Sequence, residues 1–292
     1  MKNVLKLGLP KGSLQEATIK IFSMAGFNIS VSGRSYFPSI DDDEIEPVLI
    51  RAQEMSKYVE EGVLDCGITG EDWIQENNSS VIRISDLVYA KKSLKPIRWV
   101  VAVREDSSIK NIKDLKGKRI ATELVNVTKR FLKKNNIKAE VEFSWGATEA
   151  KVKSGLVDAI VELTETGASL KANNLREICC VCESTTKFIA NKDSYKNSWK
   201  KRKMHEIVLL LKGAIEAQGK VGLKMNLRRK DINKIVKILP SLRNPTISYL
   251  VDSQWCALEV IVDEKIVKKL IPTLKSLGAE GIVEYPLNKI VY

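Results

Sequence analysis

The stretch VDAIVELTETGASL (157–170) begins as an apolar run, with Val157, Ala159, Ile160 and Val161. It ends in two acids, Glu162 and Glu165, followed at once by Thr166-Gly167-Ala168-Ser169. A turn of small residues presents backbone N–H groups and hydroxyls, which attract phosphate. Carboxylates repel phosphate but accept hydrogen bonds from hydroxyls. A ligand that satisfies both is a sugar carrying phosphates. A second stretch has related chemistry: VLKLGLP (4–10) reads as a short apolar strand that passes through Lys11-Gly12 into a helical pattern. This puts free N–H groups and a lysine at the C-terminal end of a strand, a favoured anion position.

The elements around these stretches follow from periodicity. Leu14, Ala17, Thr18, Ile21, Phe22 and Ala25 recur at helical spacing, Ser13 and Glu16 fit a capping box, and Gly26 suits the stop. VEEGVLDCGITG (59–70) and KVKSGLVDAIVELTETG (151–167) share a helix end, a Gly, two apolar residues, an Asp and a small-apolar strand. This echo predicts two related α/β lobes, each with an active loop after its strand: Thr69-Gly70-Glu71-Asp72 in one and Glu165-Thr166-Gly167 in the other. The plainer reading of G-x-x-D is a common helix-to-strand turn. IRWVVAVRED (97–106) reads as a strand crossing between lobes, and REICCVCESTTKFIAN returns as one or two strands. A helix at 126–137 has Asn126 available as its cap.

The expected organisation is a discontinuous lobe I (1–95 plus 185–212), a lobe II (96–184) carrying the phosphate loop, and a C-terminal domain (213–292). In the last, strands at 222–227, 246–251, 255–262 and 281–286 alternate with helices at 230–239 and 264–278, the second interrupted by Pro272. That is a ferredoxin-like (ACT-like) βαββαβ order. The fold class expected is α/β: a two-lobed, periplasmic-binding-protein-like core plus this domain.

Composition narrows the chemistry. His205 is the only histidine, which excludes a multi-histidine metal site and weakens any Ser-His-Asp proposal. Of five cysteines, Cys179, Cys180 and Cys182 crowd together but lack the second pair of a zinc site, so they read as a buried strand. The net charge of +12 is spread along the chain and densest at 196–205, without a clustered, aromatic-laced face. No nucleic-acid partner is expected; such a field concentrates small polyanions. No apolar run approaches the roughly 20 residues of a membrane span, and the N-terminal residues lack a signal-peptide core, so a cytoplasmic protein is expected.

Taken in order, LPKGSL (9–14), RAQEMSKYVEEGVLDCGITGEDWI (51–74), ATE (121–123) and VDAIVELTETGASLKANNLREI (157–178) resemble the ATP phosphoribosyltransferases. LPSLRNPTIS (239–248) resembles the C-terminal domain of that family's long form. The resemblance spans essentially the whole chain. It implies attack of the adenine N1 of ATP on C1 of phosphoribosyl diphosphate, with Mg²⁺ present and diphosphate leaving. Such a reaction needs alignment and charge stabilisation more than acid–base groups, in keeping with a single histidine.

By resemblance, Lys11, Arg34 and Arg51 meet the polyphosphates, and no protein residue is assigned as a metal ligand. The bland alternative for Arg51 is an ion pair with Glu54 or Glu46. Thr166, Gly167, Ala168 and Ser169 cradle the 5′-phosphate, while Glu162 and Glu165 face the ribose. Gly12, Thr69, Gly70, Asp72 and Asp158 complete the substrate set, with a structural role on its strand as the alternative for Asp158, and Glu123 and Glu149 are further candidates. The chain departs from the family in Ser13, where Arg is frequent, in Glu162, where Asp is common, and in Ala168-Ser169. For the C-terminal domain the resemblance implies feedback inhibition by histidine, with Asn226, Leu242, Thr246, Val260 and Ile261 carried over, and a homo-oligomer of dimers and hexamers. The competing reading is a non-catalytic, two-lobed binder of small anions.

Overall fold

The computed structural model describes residues 3–33, 35–90, 94–240 and 244–292. The chain divides into two compact units, Met1–Val208 and Leu209–Tyr292. The division falls inside the helix Ser198–Ala217.

The first unit contains two five-stranded sheets, one per lobe. In the first sheet Ile45–Arg51, Leu5–Lys11 and Cys66–Gly70 are parallel neighbours, and Thr186–Ala190 and Ile82–Leu87 complete the order in antiparallel pairs. In the second, Ala159–Thr164, Arg119–Thr122 and Glu140–Phe143 are parallel, and Ile97–Arg104 and Leu175–Ser184 are antiparallel. The chain passes between the sheets twice, before Ile97 and after Ser184. This is the two-lobed α/β plan. The strands of each parallel set end along one edge, so their following loops gather there.

Small residues let the layers approach. Gly8 and Gly67 are register partners beneath the helix Ala52–Glu60. A Cβ at either would lie within 2.6 Å of Met55 Sδ. The buried Met55, Val59, Leu64 and Ile74 form the core there.

The internal echo is a repeated joint. Asp65 and the strand residue Lys6 exchange two bonds, Asp65 N–H to the Lys6 carbonyl at 3.0 Å and Lys6 N–H to Asp65 Oδ2 at 2.9 Å. Asp158 and Arg119 repeat the pattern at 3.0 and 2.9 Å. Each Asp clips its own strand to the start of a parallel neighbour.

Two expected caps do not form. The helix after Lys11-Gly12 begins at Gln15 with Leu14 at its cap position and no side-chain cap. The Gln15 N–H reaches the Gly12 carbonyl instead, at 3.0 Å, so the Ser13–Glu16 box is not used. Likewise Asn126 lies inside the helix Val125–Lys134. The N–H groups of Asn126 and Val127 are both taken by the Glu76 carboxylate at 2.9 Å. A carboxylate at a helix N-terminus is favourable, and here it comes from the other lobe.

In the second unit, Thr246–Tyr249, Trp255–Asp263, Lys220–Arg228 and Glu280–Pro286 form an antiparallel sheet in that order. With the helices Ile232–Val236 and Glu264–Ser276 this is the ferredoxin-like arrangement. The first helix is shorter than its periodicity suggests, because Arg229–Asp231 is a 3₁₀ turn. The second continues through Pro272. Leu223, Met225, Leu258, Val260, Val267 and Leu274 pack the core. Among the described residues no helix is long and apolar enough to cross a membrane.

Candidate active site

The C-terminal strand ends of the first unit border a cavity of about 910 Å³, at the upper end of the roughly 300–1,000 Å³ usual for ligand pockets. Lys11, Gly12 and Ser13 enter it from the turn after the first strand, and Arg51 from the end of the sheet-edge strand. Glu123, Glu162 and Glu165 enter from strand ends of the other sheet. The first sheet's side brings the cations Lys11 and Arg51, with Glu54 and Asp72 beside them; the second sheet's side brings acids and no lysine or arginine among the lining residues. Gly12 has φ +105° and open space where a Cβ would stand, a turn that favours glycine. Exposed Arg51 makes no ion pair among the described residues, so the expected alternative with Glu54 or Glu46 is not formed.

Glu162 is the most constrained of the acids. The Thr148 hydroxyl donates to Oε2, and the Leu163 N–H donates to Oε1 at 3.1 Å. Burial pushes its carboxyl up, and the charges of Glu149 and Glu123 push the same way against the Thr148 bond. Glu149 accepts from the Ser169 hydroxyl at 3.0 Å and so links the short helix Thr148–Lys153 to the turn at 166–169.

The loop itself is half closed on its own side chains. Gly167 sits at φ +77°. Its N–H donates to Thr164 Oγ1 at 2.8 Å, and the Ala168 N–H points at Thr166 Oγ1 at 3.4 Å. Thr166, Gly167, Ala168 and Ser169 lie just beyond Glu165 and do not line the cavity. A phosphate received there would exchange these internal bonds for its own.

Other expected residues stand elsewhere. Asp158 belongs to the opposite end of its strand, about 20 Å from Glu165 at about 3.3 Å per residue. It is held by the Arg119 backbone and by Lys118 at 3.6 Å, which makes it a structural joint, and it does not line the cavity. Thr69 is fully buried, with its hydroxyl on the Ala52 carbonyl at 2.7 Å. Glu71 pairs with Arg83 at 2.8 Å.

Asp72 borders the cavity, but its oxygens are occupied: Oδ2 accepts from Trp99 Nε1 at 2.7 Å and Oδ1 from the Ser184 hydroxyl at 2.9 Å. Gly70 makes that possible, since a Cβ there would meet Asp72 Oδ1 at 2.0 Å. Arg34 and Leu242 lie outside the described residues.

Register separates the remaining C-terminal candidates. Asn226, Thr246 and Ile261 share the sheet face of their partners Ala257, Glu259 and Gly222. Val260 points the other way, into the core, at 4% exposure.

Trp99, Ser184, Thr148 and Tyr36 were not anticipated. Trp99 hides in an apolar strand, and nothing local marks its indole as a donor to the other lobe. The cysteine strand is not the buried strand expected: Leu175–Ser184 lies at the sheet edge, Cys180 is exposed, and Cys179 and Cys182 are half-buried. Cys179 and Cys182 pack against the lobe core. Burial pushes these thiols up, Cys182 to about 12, the reverse of a reactive thiolate.

Comparison with known proteins identifies the frame. The family model described as ATP phosphoribosyltransferase (HisG) matches residues 51–213, and the HisG C-terminal domain model matches 217–289. The ATP phosphoribosyltransferase of Chlorobaculum parvum is 59% identical over 289 residues, covering 99% of this chain and 98% of that protein. That of Thermodesulfovibrio yellowstonii is 61% identical over 288 residues, with the same coverage. Among solved structures, a chain of the ATP phosphoribosyl transferase (HisG:HisZ) complex from Thermotoga maritima is similar, with TM-score 0.60 and 27% identity. The match covers 71% of this chain and 98% of that one. The non-catalytic alternative finds no support in relatives that are transferases. Two family models in tandem, and identity near 60% along almost the full length, place the chain in the ATP phosphoribosyltransferase family, the transferases that open histidine biosynthesis.

Proposed function

We propose that the cavity binds ATP and phosphoribosyl diphosphate together and directs the adenine N1 onto C1 of the sugar, giving phosphoribosyl-ATP and diphosphate. The observation that carries this reading is the opposition of its walls, with Lys11, Gly12 and Arg51 on one side and Glu123, Glu162 and Glu165 on the other. Cations and backbone donors suit the polyphosphates; carboxylates suit ribose hydroxyls. Glu162 and Glu165 hold the ribose, and Thr166–Ser169 receive the 5′-phosphate. Lys11 and Arg51 neutralise charge as diphosphate leaves. The attacking nitrogen needs no deprotonation, so the protein's contribution is alignment and a fixed electrostatic field.

Among the described residues no cluster of three or more His, Cys, Asp or Glu is built to hold a metal. Mg²⁺ instead is bound by one or two carboxylates with the substrate phosphates supplying the rest, and Glu123, Glu162 and Glu165 offer hard oxygens of that kind. Its chemistry would be to offset the charge of the departing diphosphate. Asn226, Thr246 and Ile261 share a sheet face that suits histidine as an inhibitor, and we place the enzyme in the cytoplasm as a homo-oligomer.

The test is turnover. Incubation with ATP, phosphoribosyl diphosphate and Mg²⁺ is expected to release diphosphate and form phosphoribosyl-ATP, with histidine lowering the rate. Absence of product with both substrates present would refute the reading.

A further inference from the structure

The aromatic residues that line the cavity differ in burial: Tyr58 and Trp73 are half-buried, and Tyr36 stands out as exposed. Trp99 and Tyr89 are at most 4% exposed, whereas Tyr36 is 55% exposed. An exposed ring at the cavity wall is out of place as core. Its position is nevertheless fixed. The Tyr36 carbonyl accepts the Leu49 N–H at 2.8 Å, which ties it to the sheet-edge strand that ends in Arg51. The next residue is held too, since the Phe37 N–H donates to Ser35 Oγ at 3.0 Å. The Lys11 ammonium lies over the ring, 3.6 Å from its centroid.

Resting on the reading of the cavity given above, we propose that Tyr36 is the platform on which the adenine of ATP stacks. A planar base gains about 1–3 kcal/mol by stacking on an aromatic side chain. A lysine on an exposed ring gains only about 0.5–1 kcal/mol, while its ammonium is a natural phosphate partner. Arrival of the nucleotide therefore exchanges partners. Lys11 leaves the ring for the polyphosphate, and the base takes the uncovered face. Tyr36 and Arg51 then act on the same molecule from the same strand edge, the ring on the base and the guanidinium on the phosphates. The pentose of the ribosyl donor meets the acids of the other sheet and makes no use of the ring.

The experiment measures kcat and both KM values for the wild type, Tyr36→Leu and Tyr36→Phe. Leu keeps bulk and apolarity but cannot stack; Phe keeps the ring. Tyr36→Leu is expected to raise KM for ATP about tenfold or more while KM for phosphoribosyl diphosphate stays within about twofold. Tyr36→Phe is expected to restore the wild-type value. Equal rises in both KM values, or a fall in kcat with KM for ATP unchanged, would overturn the proposal and make the ring a support for Lys11. An unchanged KM for ATP in Tyr36→Leu would overturn it as well. Thermal melts of both variants show whether the fold is kept. Failure of the wild type to turn over at all would count against the reading of the cavity and is distinct from any of these results.

Discussion

The carboxylate of Asp72 and the indole of Trp99 meet at 2.7 Å across the two lobes of the first unit. Asp72 follows the strand Cys66–Gly70 of one sheet, and Trp99 sits in the strand that carries the chain into the other. The Ser184 hydroxyl, on the returning strand, completes the joint, and Trp73 packs edge-on to Trp99 with centroids 6.0 Å apart. Both passages between the lobes are thus fastened to one buried acid. Asp72→Ala strands the Trp99 donor, and the expected loss is about 1–3 kcal/mol, read as a lower urea midpoint.

The same acid predicts a pH dependence. Burial holds the Asp72 carboxyl above its ordinary value, so the folded state binds the proton more tightly than the unfolded chain. The associated stability is fully present below the unfolded pKa of about 3.9. It is lost as pH rises through the higher folded value. Urea titrations of the wild type relative to Asp72→Asn should show this decline above about pH 4; parallel curves would refute it.

Glu162 is expected to shape the acid limb of activity. Its carboxyl is pushed up by burial, and protonation removes an acceptor for the ribose hydroxyls. As pH falls through that raised value, kcat/KM for phosphoribosyl diphosphate should fall with it. Glu162→Gln should lower kcat/KM about tenfold or more near neutrality, the scale of one charged hydrogen bond, and flatten the limb in the pH–rate profile.

Gly167 separates binding from folding. Nothing stands within 4 Å of a Cβ built there, but φ is +77°, a region that costs an L-residue about 1–2 kcal/mol and a β-branched one more. Gly167→Val should reshape the loop, weaken phosphoribosyl diphosphate at least about tenfold by calorimetry, the scale of that strain, and leave a cooperative melt.

Asp158 gives the contrasting result. Asp158→Ala removes the clip to the Arg119 N–H and is expected to cost about 1–2 kcal/mol of stability, while KM for phosphoribosyl diphosphate stays within about twofold. A large KM change with an intact melt would return Asp158 to the site.

Asp158 and Glu162 show where sequence reading stops. Four residues apart on one strand, both are acids beside a phosphate-binding pattern. One faces the cavity and the other holds a neighbouring strand, because the ligand loop lies only at the strand's far end. The Ser13–Glu16 box likewise had the right spacing, yet the Gly12 turn takes the helix start. Asn126 was the obvious local cap, yet Glu76, 50 residues away in sequence, bonds those N–H groups.

What the sequence by itself determined was the alternation of strands and helices, the two anion-favouring turns and the βαββαβ order. These depend on periodicity and on turn chemistry among residues a few positions apart, which a linear chain displays directly. The tertiary structure alone decided which acids line the cavity, that Trp99 and Ser184 lock onto Asp72, and that Tyr36 stands exposed with Lys11 over its ring. Such partnerships depend on how distant surfaces pack against one another, and packing has no period along the chain.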